Sequence, residues 1–439
     1  MFRGYCRALQ RGVWGTLIRE TCKTLLRYLV VLVNHLNKRK PVPRQTEITH
    51  RHRLIAMLAL ALGGFGIGVT EFVSMGLLSL IAEDFNVAES TAGHVITAYA
   101  MGVVVGAPVI TAFTGMIPRR RLLILLMIAF TIGNALTVFT TSYPVLMAAR
   151  FLAGLPHGAF FSVAGLAVAS MAPEGQRGRA LAFVGMGLPV ATVVGVPAVQ
   201  ALGFATTWKA AYVVVTIIGA ITLALLWTLM PHMSKMKPTS PLTELGALKN
   251  GQVWASLLIG SVGFGGMFAV YTYISWTMTQ RAGLPEALMW IVLMAYGLGM
   301  IAGNFIGGRL SDWSVEYGIL TALICIVLTL VSFYFTSAYA WIAIINFALV
   351  GLSGSMLIPS LQIRLMDVAG RAQTLAAALN HSALNIANAC GALLGGVVIS
   401  AGYSYSAPAL AGAALGCAAI IIWIPAHITR SKQERKQHS

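Results

Sequence analysis

Long apolar stretches, broken by glycine, proline and short charged clusters, recur from residue 54 almost to the C-terminus. Each approaches the ~20 residues that carry an α-helix across the hydrocarbon core of a bilayer. The pattern predicts spans near 54–82, 91–113, 122–140, 145–171, 179–203 and 209–230. After a polar stretch it predicts six more, near 253–280, 286–310, 318–336, 338–365, 373–402 and 407–428. The weak alternation of a transmembrane barrel is absent. The predicted fold is an all-α membrane protein of twelve helices.

Composition agrees with this picture and narrows it. Hydrophobic residues make up 57% of the 439 and charged residues only 10%, against about 25% in soluble domains. That excludes a water-soluble enzyme, a disordered chain and a disulfide scaffold. The net charge of +17 comes from 30 Lys and Arg against 13 Asp and Glu. These charges lie between apolar spans, so they set orientation in a lipid bilayer and imply no nucleic-acid partner. Arg51, Arg53, Arg119, Arg120, Arg121, Arg177, Arg179, Lys235, Lys237 and Lys249 fall on one side of the membrane. Arg309, Arg364, Arg371, Arg430, Lys432, Arg435 and Lys436 join them, while the other side has Lys209 and Arg281. Both termini and the linker are therefore expected in the cytoplasm. Cys6, Cys22, Cys325, Cys390 and Cys417 have neither metal nor disulfide spacing. No phosphate-binding loop, metal-ligand cluster or nucleophile motif stands out, so neither an enzyme nor a cofactor is expected.

The chain divides into a basic extension at 1–53, a six-helix half at 54–230 and a linker at 231–252. A second six-helix half at 253–428 and a basic tail at 429–439 follow. Arg3, Arg7, Arg11, Arg19, Lys23 and Arg27 interleave with Trp14, Leu17, Ile18, Leu25 and Leu26 in the extension. That pattern fits an amphipathic helix on an anionic membrane surface. A mis-called start, a tail without function and an organelle transit peptide are the alternatives.

The halves repeat at one fixed offset of 197 residues. Gly63, Gly66 and Gly68 meet Gly260, Gly263 and Gly265; Tyr99, Gly102 and Gly106 meet Tyr296, Gly299 and Gly303; Gly154 meets Gly351. Two pseudo-symmetric halves of common ancestry place a small-molecule site near the midplane between them, reached by alternating access.

With these motifs on the page the chain resembles the major facilitator superfamily over residues 54–428. Gly68-Val-Thr-Glu-Phe72, Gly76-Leu-Leu78, Tyr99-Ala-Met-Gly102 and Gly106-Ala-Pro108 resemble the arabinose-efflux and chloramphenicol-resistance permeases. Pro118-Arg-Arg-Arg-Leu122, Ala149-Arg150 through Gly154, and Asn385-Ile-Ala-Asn388-Ala-Cys-Gly391 point to the same group. The resemblance implies a twelve-span drug:proton antiporter that exports small organic molecules, drugs or sugars among them, with protons as the second partner. A monomer is expected. An uncoupled facilitator or a proton-coupled importer is the competing reading on the same fold. A membrane sensor or assembly partner working through the basic N-terminal segment is another.

Among the acidic residues only Glu71 lies deep in an apolar span. An ionised group is costly there, which makes it a candidate for proton coupling. Its helical face includes Gly64, Gly68 and Met75. The fourth span offers Arg150 as partner, in the position that the resemblance associates with proton coupling. Their repeat counterparts are Phe268 and Phe347, so symmetry demands neither charge. Protonation of Glu71 and its attraction to Arg150 are expected to alternate; a static ion pair is the simpler alternative. His157, seven residues after Arg150 on the same helix face, is either a hydrogen-bonded core histidine or a proton relay or substrate contact.

Phe268, Tyr271 and Tyr273, with Asn380, His381, Asn385 and Asn388, are the candidate substrate contacts, since aromatic surface with a few polar groups suits moderately apolar ligands. Gly187, Gly195 and Pro197 resemble the glycine-proline antiporter motif. In the loop after the second span, Gly115 stands where the superfamily usually has an acidic residue, and the repeat places Asp312 opposite it. Arg119, Arg120 and Arg121 are expected to attract Asp312 and Glu316 across a cytoplasmic gate.

Overall fold

The computed structural model describes residues 50–87, 89–231, 239–285 and 288–438. The expected amphipathic segment near the N-terminus lies outside these residues, as do Lys235 and Lys237. Among the described residues twelve helices are long and apolar enough to cross a membrane. They are α1 Arg51–Gly76, α2 His94–Thr114, α3 Arg119–Val138, α4 Tyr143–Met171, α5 Arg177–Ala205 and α6 Trp208–Leu229. The second set is α7 Gly251–Thr272, α8 Met289–Trp313, α9 Val315–Thr336, α10 Ala340–Val368, α11 Gln373–Ser400 and α12 Ala407–Lys432. The closely spaced ninth and tenth predicted spans are separate helices, divided at Ser337–Tyr339.

Two spans are shorter than their apolar runs. The first helix stops at Gly76 and resumes as Leu78–Phe85, with Leu77 at φ −111° and ψ 11° between them. The seventh stops at Thr272, where Tyr273 takes φ −107° and ψ 12°. The two breaks fall within one residue of equivalent repeat positions. Hydropathy does not register them, because the residues on either side stay apolar. Asn86, at φ 51°, ends the short second helix in the left-handed conformation that asparagine tolerates.

The repeat is visible in packing. A Cβ on Gly102 or Gly106 of α2 would collide with the carbonyls of Phe151 or Leu155 in α4. One on Gly299 or Gly303 of α8 would collide with those of Ala348 or Leu352 in α10. Every one of these residues is its counterpart's number plus 197. The glycines let the helix backbones touch, where lipid supplies no hydrophobic drive for association. The buried core divides accordingly: one cluster runs from Ala56 to Met230 with a few residues of α10 and α11, the other from Val253 to Ala426 with Ala112 and Ala247. In α1, α4, α7 and α10 more than half of the most apolar window is buried. These four spans are the most enclosed of the twelve.

Candidate functional site

Arg150 sits in the interior of α4 with no exposed surface. Its Nη1 donates to Thr70 Oγ1 at 2.9 Å, and its Nη2 to the Thr70 carbonyl at 2.8 Å and Ser74 Oγ at 3.3 Å. The guanidinium lies 4.6 Å from the centre of the Tyr99 ring and 5.1 Å from that of Tyr212, so two aromatic faces share its charge. Thr70 Oγ1 donates in turn to Asn134, and Ser74 Oγ bonds the Tyr212 hydroxyl at 2.7 Å. Arg150 forms no ion pair among the described residues, and its Nε has no hydrogen-bond partner. Replacing Thr70 with valine would leave Arg150 Nη1 and Asn134 Oδ1 buried without this partner. The expected cost is about 1–3 kcal/mol, read as a lower midpoint of thermal unfolding in detergent. An unchanged midpoint would remove the network as a source of stability.

Glu71 follows Thr70 in α1 and is only half-buried despite its depth in the bundle. Its carboxyl makes no hydrogen bond or ion pair with a described residue. Its charge is felt at Arg150 and Tyr99 in the first half and at Tyr271 in the second. The static ion pair considered from sequence is therefore not formed. The glycines on the same face do not leave room for a ligand. Gly68 meets Leu188 and Ala191 of α5, and Gly64 meets Phe161 of α4.

Where the first half has Arg150 over Tyr99, the second half has the repeat pair Phe347 and Tyr296, stacked with ring centroids 4.7 Å apart. Tyr271 leans on both, at 5.0 Å from Tyr296 and 6.2 Å from Phe347. It is half-buried, as are Phe268, Asn385 and Asn388. Tyr273 is committed to packing: its hydroxyl donates to the Ala392 carbonyl at 3.1 Å, and its ring lies against Gly395. Asn385 donates back to the His381 carbonyl in its own helix. Asn380 is buried with Oδ1 unpartnered.

His157 and His381 meet across the halves. Their ring centroids are 5.9 Å apart, and His381 stacks on Phe161 at 5.0 Å. His157 Nδ1 lies 3.1 Å from the Tyr99 hydroxyl. A continuous set of rings thus joins Arg150, Tyr99, His157 and His381. His157 is hydrogen-bonded in the core, and it touches the second half as well.

Gly187 of α5 lies against the α1 backbone at Phe65, and Gly195 against Phe65 and Val69. Between them Ala191–Gly195 form a wide π-turn. Pro197, two residues on, has no N–H for the Val193 carbonyl, which accounts for a loosened turn there. The motif therefore shapes the helix that packs two residues from Glu71.

The gate is built differently from the expectation. Arg119 donates to Thr374 Oγ1 at 2.7 Å, and Arg120 to the Trp227 carbonyl. Asp312 instead accepts from the backbone N–H groups of Gly178 and Arg179 and pairs with Arg179 Nε at 3.3 Å. Glu316 stays within its own half, bonded to Arg364, Arg430 and Trp423. Arg177 completes the junction by pairing with Asp367 at 3.3 Å. Opposite charges do meet across the halves, but the cations belong to the start of α5. Local charge density singles out the arginine triplet, and only the fold shows which cluster faces Asp312. Thr70, Ser74, Asn134 and Tyr212 also escaped sequence reasoning. Their signal is polarity inside apolar spans, which is frequent enough in membrane helices to point nowhere by itself.

Twelve spans in two repeated halves, with a buried cation and a deep acid in the first of them, are the architecture of a membrane transporter. The chain belongs to the Major Facilitator Superfamily, whose family model matches residues 60–373. It is 37% identical over 371 residues to the inner membrane transport protein YdhP of Escherichia coli O157:H7, covering 84% of this chain and 95% of that one. It is 34% identical over 265 residues to a chloramphenicol resistance protein of Streptomyces lividans, covering 59% and 67%. The fold is similar to that of the proton:xylose symporter XylE, with a TM-score of 0.69 at 15% identity, covering 85% of this chain and 95% of that one. The protein is thus a multi-pass membrane transporter of small molecules and not an enzyme.

Proposed function

We propose that this transporter is a proton-driven exporter of small organic molecules in a bacterial inner membrane, with the basic face in the cytoplasm. The observation that carries the reading is Glu71: a partly buried acid deep in the bundle, with no hydrogen-bond or ion-pair partner among the described residues, near a fully buried arginine that itself lacks a carboxylate. Such a carboxyl is free to exchange a proton, and its charge state alters the field at Arg150. Arg150 reaches Tyr99, and Tyr99 reaches the His157–His381 contact between the halves. Protonation is thereby tied to the junction that must rearrange when access alternates. Phe268, Tyr271, Asn385 and Asn388 supply aromatic and amide surface for a substrate, as Glu71 supplies charge. A neutral or singly charged compound fits this set, since no second deep acid lies among the described spans. The relatives named for inner-membrane transport and for chloramphenicol resistance support location, direction and substrate size. Chloramphenicol-like drugs and sugars are the classes to try first.

The test uses everted vesicles carrying an imposed proton gradient. Drugs, arabinose and nucleosides are added in turn while lumenal pH is followed. An exporter of this kind releases lumenal protons when its substrate is added, and vesicles without the protein do not. Substrate uptake with no proton movement would favour an uncoupled facilitator on the same fold.

A further inference from the structure

On the basic face the repeat fails at one place, and the linker fills it. In the second half Asp312, at the end of α8, accepts from Gly178 N at 2.6 Å and Arg179 N at 3.2 Å, the first amides of α5. Adding or subtracting the offset of 197 carries Asp312 onto Gly115 and Gly178 onto Leu375, at the start of α11. Gly115 has no carboxylate to offer. Leu375 N nevertheless donates to a carboxylate oxygen, Glu244 Oε2, at 2.9 Å. Glu244 belongs to the short linker helix Pro241–Leu245 and is fully buried.

The surroundings are those of a built junction. Glu244 Oε1 accepts from Thr239 Oγ1, and Thr239 N donates to the Gly115 carbonyl at 3.0 Å. A Cβ at position 115 would lie 2.6 Å from the Thr239 carbonyl oxygen. A side-chain acid at 115 and the linker cannot occupy this corner together. Arg119 lies in electrostatic range of Glu244 and donates to Thr374 Oγ1, next to Leu375. Ser162 of α4 donates to the Thr374 carbonyl at 2.7 Å. On its far side the linker is held by Asn250, which donates to the Val368 carbonyl at 2.6 Å.

We propose that linker residues 239–249 form a latch for the closed basic face, with Glu244 as the positioning residue. Glu244 does for α11 what Asp312 does for α5. It places an anion on the opening amides of a helix from the other half, where the helix dipole favours one. The chain of bonds from Gly115 through Thr239 and Glu244 to Leu375 must break at one link before the halves part on this face. The latch rests on alternating access, and on neither proton coupling nor the identity of the substrate, so its test stands whatever the outcome of the vesicle experiment.

The test uses the full chain in lipid vesicles with its five native cysteines replaced. A reporter thiol is introduced by Ser162→Cys, inside the closure, or by Asn388→Cys, toward the opposite face. Each is treated with a membrane-impermeant maleimide. Loss of a charge-assisted hydrogen bond shifts the closed-to-open balance by about tenfold or more. Glu244→Gln and Asp312→Asn are each expected to raise labelling at position 162 by that factor and to lower it at 388. The reciprocal change separates release of a latch from loss of folding. An unchanged rate at 162 in Glu244→Gln overturns the proposal. So does a rise at both positions that persists in the milder Glu244→Asp.

Discussion

Glu71→Gln is expected to abolish uphill export while leaving downhill exchange of substrate intact. One proton crossing ~100 mV releases about 2.3 kcal/mol, enough to sustain a substrate ratio of about fiftyfold. A chain that cannot take up and release that proton lets the ratio fall to unity. Glutamine keeps the volume of the side chain and a similar polar end, but it does not titrate. The substitution also breaks no observed bond, because the Glu71 carboxyl has no partner among the described residues. That is why folding and substrate exchange should survive. Preloaded vesicles give both readings, labelled substrate accumulated under a proton gradient and labelled substrate exchanged without one. If Glu71→Gln still accumulates substrate, the coupling proton resides elsewhere, and His157 becomes the next residue to examine. If exchange is lost as well, Glu71 holds substrate or structure rather than the proton alone.

Sequence reasoning succeeded where one dimension holds the information. Hydropathy located the twelve spans, because lipid demands about twenty apolar residues of each. The glycine offset revealed the two repeated halves, and the structure shows why those positions repeat: α2 packs on α4 and α8 on α10 where only glycine admits backbone contact. Glu71 and Arg150 were legible because charge is rare at that depth. What failed to show were the partners. Arg150 was expected beside Glu71, whereas its guanidinium is met by Thr70, Ser74 and two tyrosine rings. Each of those residues is unremarkable in its own segment, and they converge only when α1, α2, α4 and α6 pack. The gate misled for a related reason: Arg119, Arg120 and Arg121 lie close in sequence to the place where the repeat lacks an acid. The acid there comes from Glu244, some 130 residues further on. A linker reads as spacer until its helix is seen docked between the halves.

The repeat also supplies a substitution that separates the two roles of Arg150. Its counterpart is Phe347, which stacks on Tyr296 as Arg150 lies over Tyr99. Arg150→Phe should therefore fold, with the new ring using the same tyrosine face. The groups it abandons lose little, since Thr70 keeps Asn134 and Ser74 keeps Tyr212. Exchanging a buried charge for well-packed apolar volume is often neutral or stabilising, by about 1–4 kcal/mol in the favourable cases. Arg150→Ala, by contrast, leaves a void and is expected to cost several kcal/mol, of order 2–5. Both variants should lose proton-coupled transport to the same degree, at least about a hundredfold, or 2.7 kcal/mol, because neither retains the cation whose field Glu71 alters. Thermal unfolding in detergent orders the two by stability, and the vesicle assay compares their flux. Equal loss of transport at unequal stability would assign Arg150 to the mechanism. Transport that follows stability, with Arg150→Phe active, would make the arginine a packing residue and remove it from the coupling path.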